Sequence, residues 1–249
     1  MAAHDWGVSM STTANARASI LGRLRSSNGQ AAIPTQSALP DVKAWFDAHQ
    51  RREDVTQRVA RLRAALEAVK TEVHDTTEAN WVDVLLGIAK TKNLRNLLIG
   101  TDTPHGAQLQ ACQPQGLTLK CYAESIDSWR DVLFDEVDAG LTLAKSAIAE
   151  IGSLILWPTP SEPRLMSLVP SVHFVLLEVA TIHADFHSAI TTEGWKDGLP
   201  TNALLICGPS KTADIQQTLA YGAHGPRELV VLLRHPTATT PVQPLGEAA

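Results

Sequence analysis

"ALLICGPSKTADIQQTLAYGAHGPRELVVLL", residues 203–233, sets two apolar runs on either side of a loop that opens with Gly208-Pro209 and closes with Gly225-Pro226. Neither run alternates apolar with polar residues, which is the pattern of strands covered on both faces. "NLLI" (96–99), "SLILW" (153–157) and "VHFVLL" (172–177) repeat that pattern upstream. Helical spacing appears around them: Val55, Val59, Leu62, Leu66 and Val69 form one apolar stripe, and Trp81, Val82, Leu85, Leu86 and Ala89 suggest another. Helices alternating with covered strands predict an α/β fold, a mostly parallel sheet flanked by crossover helices.

The loop itself predicts a site. A strand ends near Cys207, Gly208-Pro209 turns the chain at the carboxyl end of the sheet, and Asp214, Ile215 and Leu219 read as a short helix closed by Gly222. Ser210, Lys211 and Thr212 then stand at a helix N-terminus, where free N–H groups and the helix dipole favour an anion. Open α/β sheets also bind ligands at the carboxyl ends of their strands. Caps and turns use the same residue types, so a purely structural turn is the alternative on these residues alone. "GPSKT" lacks the earlier glycine of a phosphate-binding loop, and a Ser210–His224–Asp214 triad lacks the G-x-S-x-G elbow.

Composition narrows the class. The chain has 249 residues, 44% of them hydrophobic and 19% charged, enough for one sizeable domain plus an arm. A net charge of -5 provides no basic field for nucleic acid. Cys112, Cys121 and Cys207 lie far apart with no C-x-x-C spacing, so neither a disulfide framework nor an iron-sulfur ligand run is encoded. The first residues carry no secretory signal pattern, no apolar stretch approaches the ~20 residues of a membrane span, and the chain reads as cytoplasmic. "STTANARASILGRLR" (11–25) predicts an N-terminal helix, with Met10 an alternative start, and Ser26–Pro40 reads as a linker. Residues 1–40 are thus expected to form an arm and linker, 41–236 the domain, and 237–249 a disordered tail.

Other residues offer chemistry. Glu150 lies among apolar Ile148, Ala149 and Ile151, and partial burial would raise its pKa and equip it as acid, base or nucleophile; otherwise it accepts backbone N–H groups near a strand end. Arg164, Ser167 and His173 in "RLMSLVPSVH" offer an anion clamp, a hydroxyl and an imidazole, although a lone strand histidine also serves as a core residue. His224, before Gly225-Pro226, is placed to face the same cleft as Ser210, or to make a turn hydrogen bond. "HADFH" (183–187) has the i, i+4 spacing of helical metal ligands, but Ile182, Phe186 and Ile190 define the buried face and leave both histidines on its flank, so no metal site is expected.

"AIAEIGSLIL" (147–156), "PRLMSLVPSVHFVLL" (163–177) and "GPSKTADIQQTLAYGAHGPRELVVLL" (208–233), in this order and with "ARASILGRLR" before them, resemble the LUD domain of the LutC/YkgG family. The resemblance implies a NagB/RpiA/CoA-transferase-like fold and a role in bacterial L-lactate oxidation to pyruvate. It implies two partners, one with CCG domains and one carrying iron-sulfur clusters, with no cofactor in this chain. It also points to a small anion, lactate, pyruvate or a phosphate-bearing cofactor, held by residues 208–214 (Gly208, Pro209, Ser210, Lys211, Thr212 and Asp214), His224, Gly225 and the 150–173 segment. The chain departs from the family pattern at Ile151 for Thr, Lys211 for Arg and Gln216 for Glu. A stand-alone enzyme of 5-formyltetrahydrofolate cyclo-ligase or CoA-transferase type, and a regulatory or scaffold protein, are the competing functions. The linker would allow the N-terminal helix to exchange between copies of a homo-oligomer.

Overall fold

A computed structural model describes residues 11–28, 41–49, 51–121, 129, 131–213, 219–222 and 224–236. Two units are distinguished, residues 1–49 and 50–249. The first contains helices α1 (Ser11–Asn28) and α2 (Val42–His49), α1 running through the start of the expected linker. Linker residues 29–40, the tail from 237 onward and Asp214 lie outside the described residues.

The second unit is built on a six-stranded parallel sheet of order β1-β12-β7-β4-β2-β3. Its strands are β1 (Glu72–Thr77), β2 (Asn96–Ile99), β3 (Thr118–Cys121), β4 (Ala139–Leu143), β7 (Val172–Glu178) and β12 (Glu228–His235). Three of the apolar runs, 96–99, 172–177 and 229–233, are interior strands of this sheet, as burial on both faces requires. The polar strands β1 and β3 form the edges, where one side meets no neighbour.

The other two runs, 153–157 and 203–207, lie elsewhere. They supply β6 (Ser153–Leu156) and β9 (Leu204–Ile206) of a second sheet of order β8-β5-β6-β9, with β5 (Ser146–Ile148) and β8 (Ile182–His183). In it β6 runs antiparallel to both β5 and β9. Both faces of this sheet's inner strands are covered, Leu154 and Leu156 by the parallel sheet and Ile148 and Ile155 by Ala189 and Trp195, whereas β9 is the edge strand and only half-buried, with Leu205 exposed.

Each face of the parallel sheet has its own core. Helices α4 (Trp81–Thr91) and α5 (Pro104–Cys112) cover one face, with Trp81, Leu85, Ile88 and Leu109 packed on Leu141, Phe174, Leu176, Val230 and Leu232. Helix α3 (Val55–Ala68) and the second sheet cover the other, where Leu62, Leu66, Leu154 and Leu156 meet Val175, Leu177, Val231 and Leu233. The predicted α3 stripe is therefore realised at its centre. Asp54 starts this helix with a capping box: its carboxylate accepts from Gln57 N at 2.8 Å, and the Gln57 side chain accepts from Asp54 N at 3.0 Å.

Candidate functional site

Residue alternation puts Gly140 and Thr142 of β4 and His173 of β7 on the face that looks toward the second sheet. Gly140 is decisive there. A Cβ at this position would lie 2.5 Å from the carbonyl oxygen of Met166, so only glycine lets the 3-10 turn Arg164–Ser167 rest directly on the strand. The turn delivers Ser167, 2% exposed, to the sheet surface beside His173. The Ser167 hydroxyl donates to the Arg164 carbonyl at 2.9 Å, which fixes its rotamer.

The opposite wall comes from the end of β9 and the loop after it. Gly208 has φ +149°, and a Cβ there would come within 2.7 Å of Val69 Cγ2, so the glycine serves a close approach to the chain after α3. Beyond it the described parts of the expected helix and its N-terminus form strands. Strand β10 (Lys211–Ala213) pairs antiparallel with β11 (Leu219–Tyr221) in the register Lys211↔Tyr221, and the tip between them lies outside the described residues. Gly222 does take a left-handed φ of +81°, but it leaves a hairpin rather than a helix. The loop is closed at its base: Ser210 N donates to Pro226 O at 2.8 Å, Gly222 N to Ser210 O at 2.9 Å, and His224 N to Ser210 Oγ at 3.3 Å. With Ser210 N–H already used and Lys211–Ala213 in a strand, Ser210–Thr212 do not form the helix N-terminus that was expected to favour an anion.

Between these walls lies a cleft of about 180 Å³. Its polar lining is Ser167, His173, Ser210 and His224, with Gly208 and Gly225; its apolar lining is Leu168, Leu205, Ile206, Pro226 and Leu229, with Cys207. The cleft thus brings together residues from the 164–173 and 208–225 segments, which sequence placed on one site. Its position differs from expectation. His173 and Leu229, paired in register, are each the second residue of their strands, so the cleft opens at the amino ends of β7 and β12, although at the carboxyl end of β9. Docking of β9 across the lower half of the sheet face produces this placement.

Several predicted residues stand apart from this lining. Arg164 is exposed and borders a smaller neighbouring cavity with Thr142, Glu162 and Ser167. Pro209 is buried in the turn, and Lys211 and Thr212 belong to the hairpin. Glu150 is exposed, on the turn joining β5 to β6, where its N–H donates to Ala184 O at 3.1 Å; the expected partial burial is not found, because the hairpin turn carries the side chain outward. The "HADFH" pattern does not lie on one helix: His183 is in β8, its Nε2 2.9 Å from Glu193 Oε1, and Asp185 caps α6 (Phe186–Thr192) by accepting from Ser188 N at 2.7 Å. Phe186, expected in the buried face, is exposed.

Electrostatically the cleft floor is neutral. Burial pushes the His173 imidazole down to about 3, since a charge there would be stripped of water. Its Nε2 lies 2.9 Å from Thr142 Oγ1, and its Nδ1 has no hydrogen-bond partner among the described residues. Among the described lining residues there is no lysine or arginine. Sequence reasoning missed Thr142, whose contact with His173 is non-local, and Cys207, which was read only for disulfide and cluster spacing.

The LUD domain family model matches residues 59–233. The chain is 43% identical over 187 residues to an uncharacterized protein of Neisseria meningitidis serogroup B, covering 74% of this chain and 80% of that one. It is 27% identical over 175 residues to lactate utilization protein C 1 of Bacillus mycoides, covering 68% and 75% of the two chains. With lactate utilization protein C of an Exiguobacterium species the identity is 28% over 162 residues, 59% and 69% of the two. The crystal structure of a DUF162 family protein from Deinococcus radiodurans shares the fold, with a TM-score of 0.53 at 17% identity over 73% of this chain and 99% of that one. The matched span runs from α3 to β12 and encloses every residue of the cleft: the chain belongs to the LUD domain family, that of lactate utilization protein C.

Proposed function

We propose that this chain works in lactate utilization as the acid-binding, non-redox member of an iron-sulfur complex that oxidises L-lactate to pyruvate, and that the cleft between β9 and the parallel sheet is its ligand site. The observation that carries this reading is the closure of the Gly208–Pro226 loop onto the 164–173 segment, which places two hydroxyls and two imidazoles around one small concavity. Its volume of about 180 Å³ suits a molecule of a few carbons. Sites for larger ligands run to roughly 300–1,000 Å³, which disfavours a phosphate-bearing nucleotide cofactor. The names of its relatives supply the lactate connection. The three dispersed cysteines support leaving electron transfer to partner proteins. The exposed position of Glu150, outside the lining of the cleft, favours this reading over a CoA-transferase that uses it as a nucleophile.

Deletion of the gene is expected to abolish growth on L-lactate while sparing growth on pyruvate. The tagged chain, purified from cells growing on lactate, should bring down a protein that carries iron-sulfur clusters. Normal growth of the deletion strain on lactate, or a chain that purifies without any iron-sulfur protein, would refute the assignment.

A further inference from the structure

His173 lines the cleft at 1% exposure, yet its Nδ1 has no hydrogen-bond partner among the described residues. Its other nitrogen meets the hydroxyl of Thr142, itself buried, at 2.9 Å. A neutral imidazole has one N–H and one lone pair, while a threonine hydroxyl both donates and accepts and rotates freely between the two roles. Two arrangements follow. When Thr142 donates to Nε2, Nδ1 carries the proton and is left as an unpaired donor. When Nε2–H donates to Thr142, Nδ1 offers a lone pair. One ring position can therefore present either polarity without any change of charge.

The rest of the lining determines what such a group would meet. No described lining residue is a lysine or arginine, so a carboxylate driven against the floor would be buried without a counter-charge. Ser210 is different: its oxygen accepts the His224 amide N–H and its own proton has no acceptor among the described residues, while His224 is exposed. The charged end of a small acid is therefore best served on the Ser210–His224 side and an uncharged oxygen on the His173 side.

Building on the cleft as the acid-binding site, we propose that the Thr142–His173 pair recognises the C2 oxygen of the ligand, accepting from the hydroxyl of a 2-hydroxy acid in one tautomer and donating to the carbonyl of a 2-oxo acid in the other. The cleft then takes both members of a hydroxy/oxo acid pair and discriminates against the same acid without oxygen at C2. His173 touches the ligand; Thr142 is a positioning residue that acts through the ring.

Calorimetry on the full chain with L-lactate, pyruvate and propionate tests this, together with long-range ¹H–¹⁵N NMR of the His173 ring. Lactate and pyruvate should bind at least about tenfold more tightly than propionate, since a buried group built to pair with oxygen is left unpaired by the deoxy acid. The ring should stay neutral throughout, with its proton on Nε2 in the lactate complex and on Nδ1 in the pyruvate complex. His173→Phe should erase the preference over propionate, and Thr142→Val should narrow the tautomer difference between the two complexes. If all three acids bind equally, or the preference survives in His173→Phe, or one tautomer persists in both complexes, the inference fails and the cleft reading stands. If none of the acids perturbs Ser210 or His224, both fail. The tautomer measurement uses the wild-type chain, so it decides the matter even if a variant does not fold.

Discussion

Among the described residues His173 has no acidic partner to hold its proton, and burial against Thr142 and Leu229 makes the charged ring expensive. That predicts a pH dependence of definite sign. In the unfolded chain the ring titrates near 6.5, and in the folded chain near 3. Above pH 6.5 both states hold a neutral ring and the group contributes nothing to the pH slope. Below it the unfolded chain takes up a proton that the folded chain refuses, so stability falls by up to about 1.4 kcal/mol per pH unit until the folded ring titrates as well. Between pH 7 and pH 5 the wild type should therefore lose about 2 kcal/mol more than His173→Phe. Urea titrations of both proteins at the two pH values measure this, and equal losses would show that the ring is not buried neutral. Glu72 and Asp138 do not confuse the comparison. Burial of Glu72 is outweighed by hydrogen bonds from Lys92 and His74, and the Arg95 guanidinium lowers Asp138 against its own burial, but both contributions are common to the two proteins. At this scale the sequence was informative about identity more than about role. A lone strand histidine was open to two readings, core residue and ligand group, and in the structure one ring has the burial of the first and the free nitrogen of the second.

Elements depend on whether the choice they make is local. The α3 stripe and its Asp54–Gln57 capping box are local, and the helix was legible in the spacing of Val59, Leu62 and Leu66. The 208–226 loop is different. Ile215 and Leu219 have helical spacing, but Lys211–Ala213 finds its partner in Leu219–Tyr221, a pairing that periodicity does not reveal. β4 was also hidden, because "AGLTL" carries a glycine and a threonine where an apolar run was sought. That glycine connects sheet to site, and it can be tested. Gly140→Ala would place a methyl 2.5 Å from the Met166 carbonyl oxygen and 3.2 Å from Pro170 Cγ, and backbone on a buried sheet cannot yield cheaply. A cost of about 1–3 kcal/mol is expected, the usual range for overpacking a filled core. Because the 164–167 turn must lift from the strand, the His173 ring resonances should shift as well. A variant with unchanged thermal midpoint and an unshifted His173 signal would mean that the turn does not rest on β4.

Across the whole molecule, the apolar runs revealed which segments would be covered strands without revealing which sheet each would join. A strand covered by helices on two faces and one covered by a sheet on one face and a helix on the other, as β6 is, look alike over four or five residues. The assignment of 153–157 and 203–207 to the second sheet moves the cleft from the carboxyl ends of the parallel strands to the amino ends of β7 and β12. The same architecture bounds what the fold requires. Among the described residues every buried side chain lies between Leu62 and Leu233, most of them in the two large cores on either face of the parallel sheet and the rest in smaller clusters around Leu133 and Ile155, and α2 buries none. A chain of residues 50–236 therefore keeps the capped α3, both sheets and the cleft. It should unfold in one cooperative transition within a few degrees of the full chain, given that ~1 kcal/mol corresponds to about 2–4 °C at this size. Calorimetric scans of the two proteins compare them directly. A midpoint lower by more than about 10 °C would mean that residues 1–49 contribute several kcal/mol to the domain, more than a unit without buried residues in α2 can account for. If the shortened chain retains both its midpoint and its discrimination between lactate and propionate, then the first 49 residues act outside both fold and cleft, and any failure of that chain to support growth on lactate isolates a separate role for them.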